Sequence, residues 1–100
     1  MNDSGEKTGQ KYALTLYVAS MNARARFAVE NIRKVCEEYL KGRYELEVID
    51  LRENPSLAIE EKVVATPMLI KRLPLPIRTF IGNMHDIDKI LLGLEVRQES

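Results

Sequence analysis

The chain has 100 residues, with 15 basic and 15 acidic side chains, so its formal net charge is zero. Its 45% hydrophobic and 30% charged residues are typical of one globular domain, expected over residues 11–95 between tails at 1–10 and 96–100. One Cys and one His exclude a disulfide framework and disfavour a metal site, and the absence of a basic excess disfavours nucleic acid as a partner.

The first predicted element is a strand over residues 12–19, in which apolar residues alternate with others. Its apolar character favours a central place in a sheet. A helix is predicted over residues 23–41, with Ser20 or Asn22 as its cap and Gly42 at its left-handed end. The helical period places one apolar stripe on Ala25, Ala28, Val29, Ile32, Val35, Cys36, Tyr39 and Leu40.

The next strand is predicted over residues 43–51, where Tyr44, Leu46 and Val48 alternate with charged residues. Two strands joined by a long helix form a βαβ unit. We therefore expect the two strands to be parallel and the connection to be right-handed.

The second half of the chain has weaker local signals. Asn54 is the predicted cap of a short helix over residues 55–62, whose Glu60 and Glu61 lie at the unfavourable end of the helix dipole and are interpreted as surface charge. A strand follows over residues 63–71. The chain then reaches an interruption that contains two prolines and that neither a helix nor a central strand tolerates.

A short strand is predicted over residues 77–81, and a last helix begins at His85 or Asp86. Gly93 interrupts that helix and lowers its stability by about 1 kcal/mol relative to alanine. The resulting order is βαβαββα. It predicts an α/β fold with a mixed sheet, the order of a thioredoxin-like domain.

The sequence offers no catalytic site. The turn at residues 19–22, where a thioredoxin-like oxidoreductase places its reactive cysteine, contains none, and Cys36 lies about four turns along the helix. We expect Cys36 to be a buried structural thiol. Ser20 has no nearby base, because His85 is the only histidine. The phosphate-binding loop motifs are absent, so we expect no enzyme activity and no cofactor.

Neither a membrane span nor a signal peptide is predicted. No apolar run approaches the roughly 20 residues that a transmembrane helix needs. Residues 1–11 lack the apolar segment of a signal peptide. A cytoplasmic protein is therefore expected.

The charges form blocks along the chain. Residues 20–44 are basic on balance, residues 45–62 are acidic, and residues 63–83 contain Lys71, Arg72 and Arg78 without any acid. Two interpretations remain open: solvated faces that happen to cluster, or a surface with patches of both signs that suits a protein partner.

Pro67, Pro74 and Pro76 lie within a short stretch of the second half. Each bond that precedes a proline has a cis form only about 0.5–1 kcal/mol above the trans form, and exchange takes tens of seconds or more. The segment is interpreted either as rigid turns or as a region with two backbone courses.

Five segments resemble the KaiB circadian-clock protein family: LTLYVA (14–19), YELEVID (44–50), ENPSLA (53–58), KVVATP (62–67) and LPLPIR (73–78). The similarity runs from residue 11 to residue 94 in one register. The thioredoxin-like sensor domain of the clock output kinase SasA is similar, though less closely.

This resemblance implies a non-enzymatic protein that binds the N-terminal ATPase domain of KaiC, a ring-shaped ATPase, and excludes other clock proteins there. It also implies a second fold of the C-terminal half and self-association into dimers or tetramers. The partner-binding residues implied are Lys62, Lys71 and Arg78. The positions implied for the fold switch are Pro67, Pro74, Pro76, Gly82 and Gly93.

The chain departs from the family pattern at several positions. Phe27 replaces an arginine, Glu45 and Glu47 replace a small residue and a lysine, and Thr79 replaces an arginine. At the start of the last helix His85 replaces a serine, which is a better cap. The changed charges lie on the side expected to face KaiC, so a KaiB-like paralogue with its own partner, in circadian or stress control, is a further interpretation.

Two alternatives to a KaiC-binding regulator remain open at this stage. The first is a thioredoxin-like sensor or adaptor module that binds a histidine kinase, a KaiA-like protein or another signalling partner. The second is a redox protein that uses Cys36 alone.

Overall fold

A computed structural model describes residues 11–96, so the expected tail at 1–10, and residues 97–100 of the expected tail at 96–100, lie outside the described residues. The elements follow the predicted order βαβαββα. They are β1 (Tyr12–Val18), α1 (Ala23–Tyr39), β2 (Tyr44–Asp50), α2 (Ser56–Glu60), β3 (Met68–Leu73), β4 (Arg78–Ile81) and α3 (Ile87–Gly93). No helix in this described part of the chain is long and apolar enough to span a membrane.

The four strands form one mixed sheet in the order β2-β1-β3-β4. β1 pairs parallel with β2, and the register places Leu14 beside Leu46. β3 runs antiparallel to both β1 and β4. The prediction of a central first strand with a parallel βαβ unit is confirmed.

The main core lies on the sheet face that α1 and α3 cover. Alternate side chains of β1 point to this face, because strand residues alternate between the two faces of a sheet. Burial of each aliphatic side chain contributes about 1.5–3 kcal/mol. The buried cluster contains Tyr12, Leu14, Leu16, Val18, Ala25, Ala28, Ile32, Cys36, Leu40, Leu69, Met84, Ile90 and Leu94. Val96 packs against it, so the ordered chain extends into the predicted C-terminal tail.

The opposite sheet face carries a smaller cluster of Tyr17, Met68 and Ile70. α2 has no buried residue and no side-chain cap. Asn54 does not cap it, because the Asn54 side chain donates its hydrogen bond to the Asp50 carbonyl. The prediction that Asn54 caps α2 is therefore wrong.

Helix α1 begins where the sequence indicates. The Asn22 side chain accepts a hydrogen bond from the Ala25 amide at 2.8 Å and is the cap. The helix ends at Tyr39, two residues before the predicted end, because Leu40 leaves the helical region with φ −130°. Gly42 then adopts φ +77°, the left-handed conformation predicted for it.

In the second half the start of β3 differs from the prediction, whereas the start of α3 agrees with it. β3 begins at Met68 instead of residue 63, because the Val63 amide donates to the Ala58 carbonyl and keeps this segment with the end of α2. Helix α3 is capped by Asp86, whose carboxylate accepts from the Lys89 amide at 3.2 Å. The His85 substitution therefore leaves an acidic cap in place.

Candidate functional site

Lys71 occupies an unexpected place for a partner-binding residue. Only 1% of it is exposed, and the register places it opposite Arg78 on β4. Burial lowers the pKa of Lys71. The negative charge of Glu95 raises this pKa and offsets part of the shift, whereas the positive charge of Arg78 lowers it further. Its ammonium makes no hydrogen bond or ion pair within the described residues. In this arrangement Lys71 is buried and presents no exposed ammonium to a partner, and its role in partner binding stays a prediction.

Arg78 is engaged inside the chain. Its Nε and Nη2 atoms lie 2.9 and 2.8 Å from Glu95 Oε2, and both side chains are about half exposed. This ion pair links Arg78, at the start of β4, to Glu95, two residues after the end of α3. An exposed pair of this kind contributes about 0.2–1 kcal/mol, so a partner carboxylate can compete for Arg78 at small cost.

Lys62 is exposed and follows α2 with φ +55°. It takes part in no ion pair among the residues that the structure describes. Lys71 and Arg78 are cross-strand neighbours on β3 and β4, whereas Lys62 lies outside the sheet, after α2. Because Lys71 is buried while Lys62 and Arg78 are exposed, the three predicted basic residues do not form one exposed patch.

Gly82 and Gly93 share a neighbour. A Cβ on Gly93 would lie 3.1 Å from Phe80 Cδ1, and one on Gly82 would lie 3.4 Å from Phe80 Cζ. Gly82 also has φ +156°, which disfavours any side chain. The two glycines let β4 and α3 close around the Phe80 ring, so Gly93 has a packing role that helix propensity alone does not indicate.

The three prolines separate into two places. Pro67 immediately precedes β3, whereas Pro74 and Pro76 lie in the connection between β3 and β4. All three peptide bonds that precede them are cis. Leu75 and Ile77 of this connection are exposed.

A polar network around Arg72 was not predicted from the sequence. Its guanidinium donates to Thr15 Oγ1 at 3.1 Å, Tyr17 OH at 2.9 Å and Glu61 Oε1 at 3.2 Å. Burial raises the pKa of Tyr17, and Arg72 opposes that rise. Glu61 therefore anchors the end of α2 to the sheet, which corrects its interpretation as ordinary surface charge.

A cleft opens at the carboxyl end of β1, where the chain leaves for α1 on one side and β3 lies on the other. Concave sites in open α/β sheets favour such a point. Its wider part has a volume of about 460 Å³. Arg24, Thr66 and Pro67 line both the wide and the narrow part. The remaining lining residues are Val18, Ala19, Ser20, Asn22, Ala25, Ala28, Gly82, Asn83, Met84 and His85.

An aromatic pair stands at the edge of this cleft. Phe27 is 55% exposed, and its ring meets the His85 ring edge-on with 4.6 Å between centroids. The Asn31 amide nitrogen lies 2.8 Å from His85 Nδ1. Since His85 also lines the cleft, these contacts fix an exposed aromatic surface beside it.

The site that is catalytic in redox proteins of this fold contains no thiol here. The turn of residues 19–22 lies in the narrow part of the cleft with Thr66 and Pro67. Cys36 is buried, as predicted, and burial raises its pKa to about 12. A thiol with that pKa stays protonated at neutral pH, which argues against a redox protein based on Cys36.

The sequence matches the KaiB domain family over residues 15–96. The circadian clock protein KaiB3 of Synechocystis sp. is 42% identical over 89 residues, which are 89% of this chain and 87% of that protein. The circadian clock oscillator protein KaiB of Synechococcus elongatus is 44% identical over 85 residues, or 85% of this chain and 83% of that protein.

Solved structures support the fold. The N-terminal domain of Synechococcus elongatus SasA superposes with a TM-score of 0.71 at 20% identity, covering 91% of this chain and 90% of that domain. Mitochondrial thioredoxin 3 of Saccharomyces cerevisiae superposes with a TM-score of 0.64 at 16% identity, covering 90% of this chain and 83% of that protein. The fold is thioredoxin-like, and because the family match and the 42% and 44% identical relatives span most of the sequence, the chain belongs to the KaiB family.

Proposed function

We propose that this chain is a non-enzymatic clock regulator that docks on a KaiC-type ring ATPase and modulates its phosphorylation and ATPase cycle. The observation that carries the proposal is the match to circadian clock proteins, which covers most of this chain and most of each relative. KaiC docking is the activity that the family resemblance implies.

The chemistry of the described residues supports binding over catalysis. The thiol is buried with a raised pKa, and the turn at residues 19–22 offers no nucleophile paired with a base. The exposed groups are instead those of a protein interface: an aromatic ring at Phe27 and ammonium or guanidinium groups at Lys62 and Arg24.

The test is co-elution with the cognate ATPase ring on size exclusion, at several protein ratios and after hours of incubation with nucleotide. We expect a complex that Lys62→Glu weakens, because Lys62 presents an exposed ammonium that has no ion pair with any residue from 11 to 96. Lys41→Glu is the matched control, since Lys41 is also exposed but lies at the far end of α1. No complex with any KaiC-type ring would refute the proposal.

We also propose that the C-terminal half has a second arrangement in which the protein self-associates, as the resemblance implies. A chain can switch between two folded arrangements when their free energies differ by only a few kcal/mol. The burial of the Lys71 ammonium adds a cost to the thioredoxin-like arrangement and so supports a small difference. Two sets of amide resonances in slow exchange are expected by NMR. One invariant set at all temperatures, with and without partner, would contradict it.

A second candidate is an adaptor that binds a histidine kinase, as SasA's own N-terminal domain has this fold. The two candidates differ in the partner. The adaptor predicts a complex with a kinase in the absence of any ATPase ring, whereas the first proposal predicts that the ring suffices.

A further inference from the structure

We propose that the cleft between α1, Thr66–Pro67 and the loop at 82–85 binds an extended, acidic segment of a protein partner. The inference deepens the proposed function, on which it rests for the class of partner, because it names the chemistry that the docking partner must present. Three properties of the cleft carry it: its charge, its unpaired peptide groups and its aromatic edge.

The charge of the cleft is positive at one end. Arg24 lines both of its parts and makes no hydrogen bond or ion pair within the described residues. No Asp or Glu of the described segment lines either part, and the first turn of α1 has no acidic residue to offset the partial positive charge of its N-terminus. A carboxylate that enters beside Arg24 therefore gains a charge-assisted, bidentate partner.

The backbone of the cleft favours an extended occupant. β3 begins at Met68, and the peptide groups of Ala65 and Thr66 before it make no hydrogen bond within residues 11–96. Both residues are exposed. Exposed peptide groups without internal partners can hydrogen-bond the main chain of an incoming segment, which supplies affinity without depending on that segment's side chains.

The aromatic edge adds an apolar contact. The Phe27 ring is exposed but held by His85, which is itself fixed by Asn31. Rigid aromatic side chains of this kind are frequent anchors of protein interfaces. Beyond His85 the adjoining hollow carries Asp86 and Asp88, so an acidic residue of the partner fits the Arg24 end and is repelled from the other.

The experiment titrates the isotope-labelled full chain with two probe peptides of equal length, in which leucine alternates with glutamate or with lysine. We expect saturable shifts of the Ala25, Thr66 and Asn83 amide resonances with the glutamate peptide and none with the lysine peptide. Equal responses to the two peptides, or shifts that map outside the cleft, would overturn the inference. Shifts reproduced in full by free glutamate would also overturn it, because they would indicate an anion site without segment recognition.

Single-residue variants test whether the glutamate peptide binds in the cleft. Arg24→Glu is expected to weaken binding of the glutamate peptide by about tenfold or more, since it replaces attraction by repulsion. Phe27→Ala is expected to weaken it less, through loss of the apolar contact. Lys41→Glu is the control and should bind like the wild type, because Lys41 lies beyond the C-terminal end of α1, about four helical turns from Arg24. The dispersion of each amide spectrum verifies that the variant is folded, and unchanged binding by folded Arg24→Glu would overturn the inference.

The same variants separate this inference from the proposed function. Peptide binding in the cleft without any complex with the ATPase ring would reject KaiC docking and retain the cleft. A ring complex that forms equally well with Arg24→Glu and Phe27→Ala, together with no peptide response, would reject the cleft and retain docking.

Discussion

Replacing Lys71 by methionine should stabilise the thioredoxin-like fold. Methionine keeps an unbranched stem of similar length but removes the ammonium of a residue that is 1% exposed, and this ammonium makes no hydrogen bond within the described residues. Glu95 is not left without a partner, because it retains both contacts to Arg78. Leaving a buried polar group unsatisfied costs about 1–3 kcal/mol, so a gain of that size is expected.

The gain should depend on pH. Burial lowers the pKa of Lys71 from its ordinary value of 10.5, so between the folded and unfolded values the unfolded chain binds more protons. The stability of the wild type therefore rises with pH across that window, and the advantage of Lys71→Met shrinks there. Below both values the full advantage is present.

Urea unfolding at neutral and at alkaline pH measures both effects. The wild type and Lys71→Met share the other alkaline groups Tyr17, Tyr44 and Cys36, so their difference isolates Lys71. A gain of 1 kcal/mol raises the melting temperature by about 4–8 °C in a domain of this size. Lys41→Met, at an exposed lysine, should change the stability little. A destabilised Lys71→Met, or an advantage that does not fall with pH, would refute the reasoning.

Three further predictions concern other parts of the fold. Gly82→Ala should lower the free energy of unfolding by about 1–2 kcal/mol, because alanine cannot adopt φ +156° without strain; urea unfolding measures it, and a free energy of unfolding equal to that of the wild type would contradict it. Cys36 should react with iodoacetamide at pH 8 far more slowly in the folded chain than in urea, because its pKa is raised to about 12, and equal rates would show an exposed thiol. Arg72→Met should release Glu61 and increase amide exchange in α2 more than in α1, whereas uniform exchange would show that the network does not anchor α2.

The first half of the fold follows from the sequence because its signals are strong and local. β1 and α1 have the periods of their elements, and Asn22 and Gly42 mark the two ends of the helix. The second half depends on contacts between distant residues. Val63 and Val64 favour a strand by propensity, but the backbone hydrogen bond from Val63 to Ala58 prevails over it.

The candidate site was only partly accessible from the sequence. Strand alternation places Lys71 on the same sheet face as the core residue Leu69, so its burial could have been predicted from the sequence. The basic composition of the segment instead favoured a surface position. No local sequence signal indicated the cleft, because Arg24, Thr66 and His85, which line it, come from three separate segments. The Glu61 and Arg72 pair likewise forms only when α2 docks on the sheet.

Native mass spectrometry of the cognate KaiC-type ring, after hours of incubation with this chain and nucleotide, tests the central claim most directly. Docking predicts new species heavier than the ring by whole multiples of the mass of this chain, increasing in number with the protein ratio. A ring whose mass stays unchanged at every ratio and time would contradict the account.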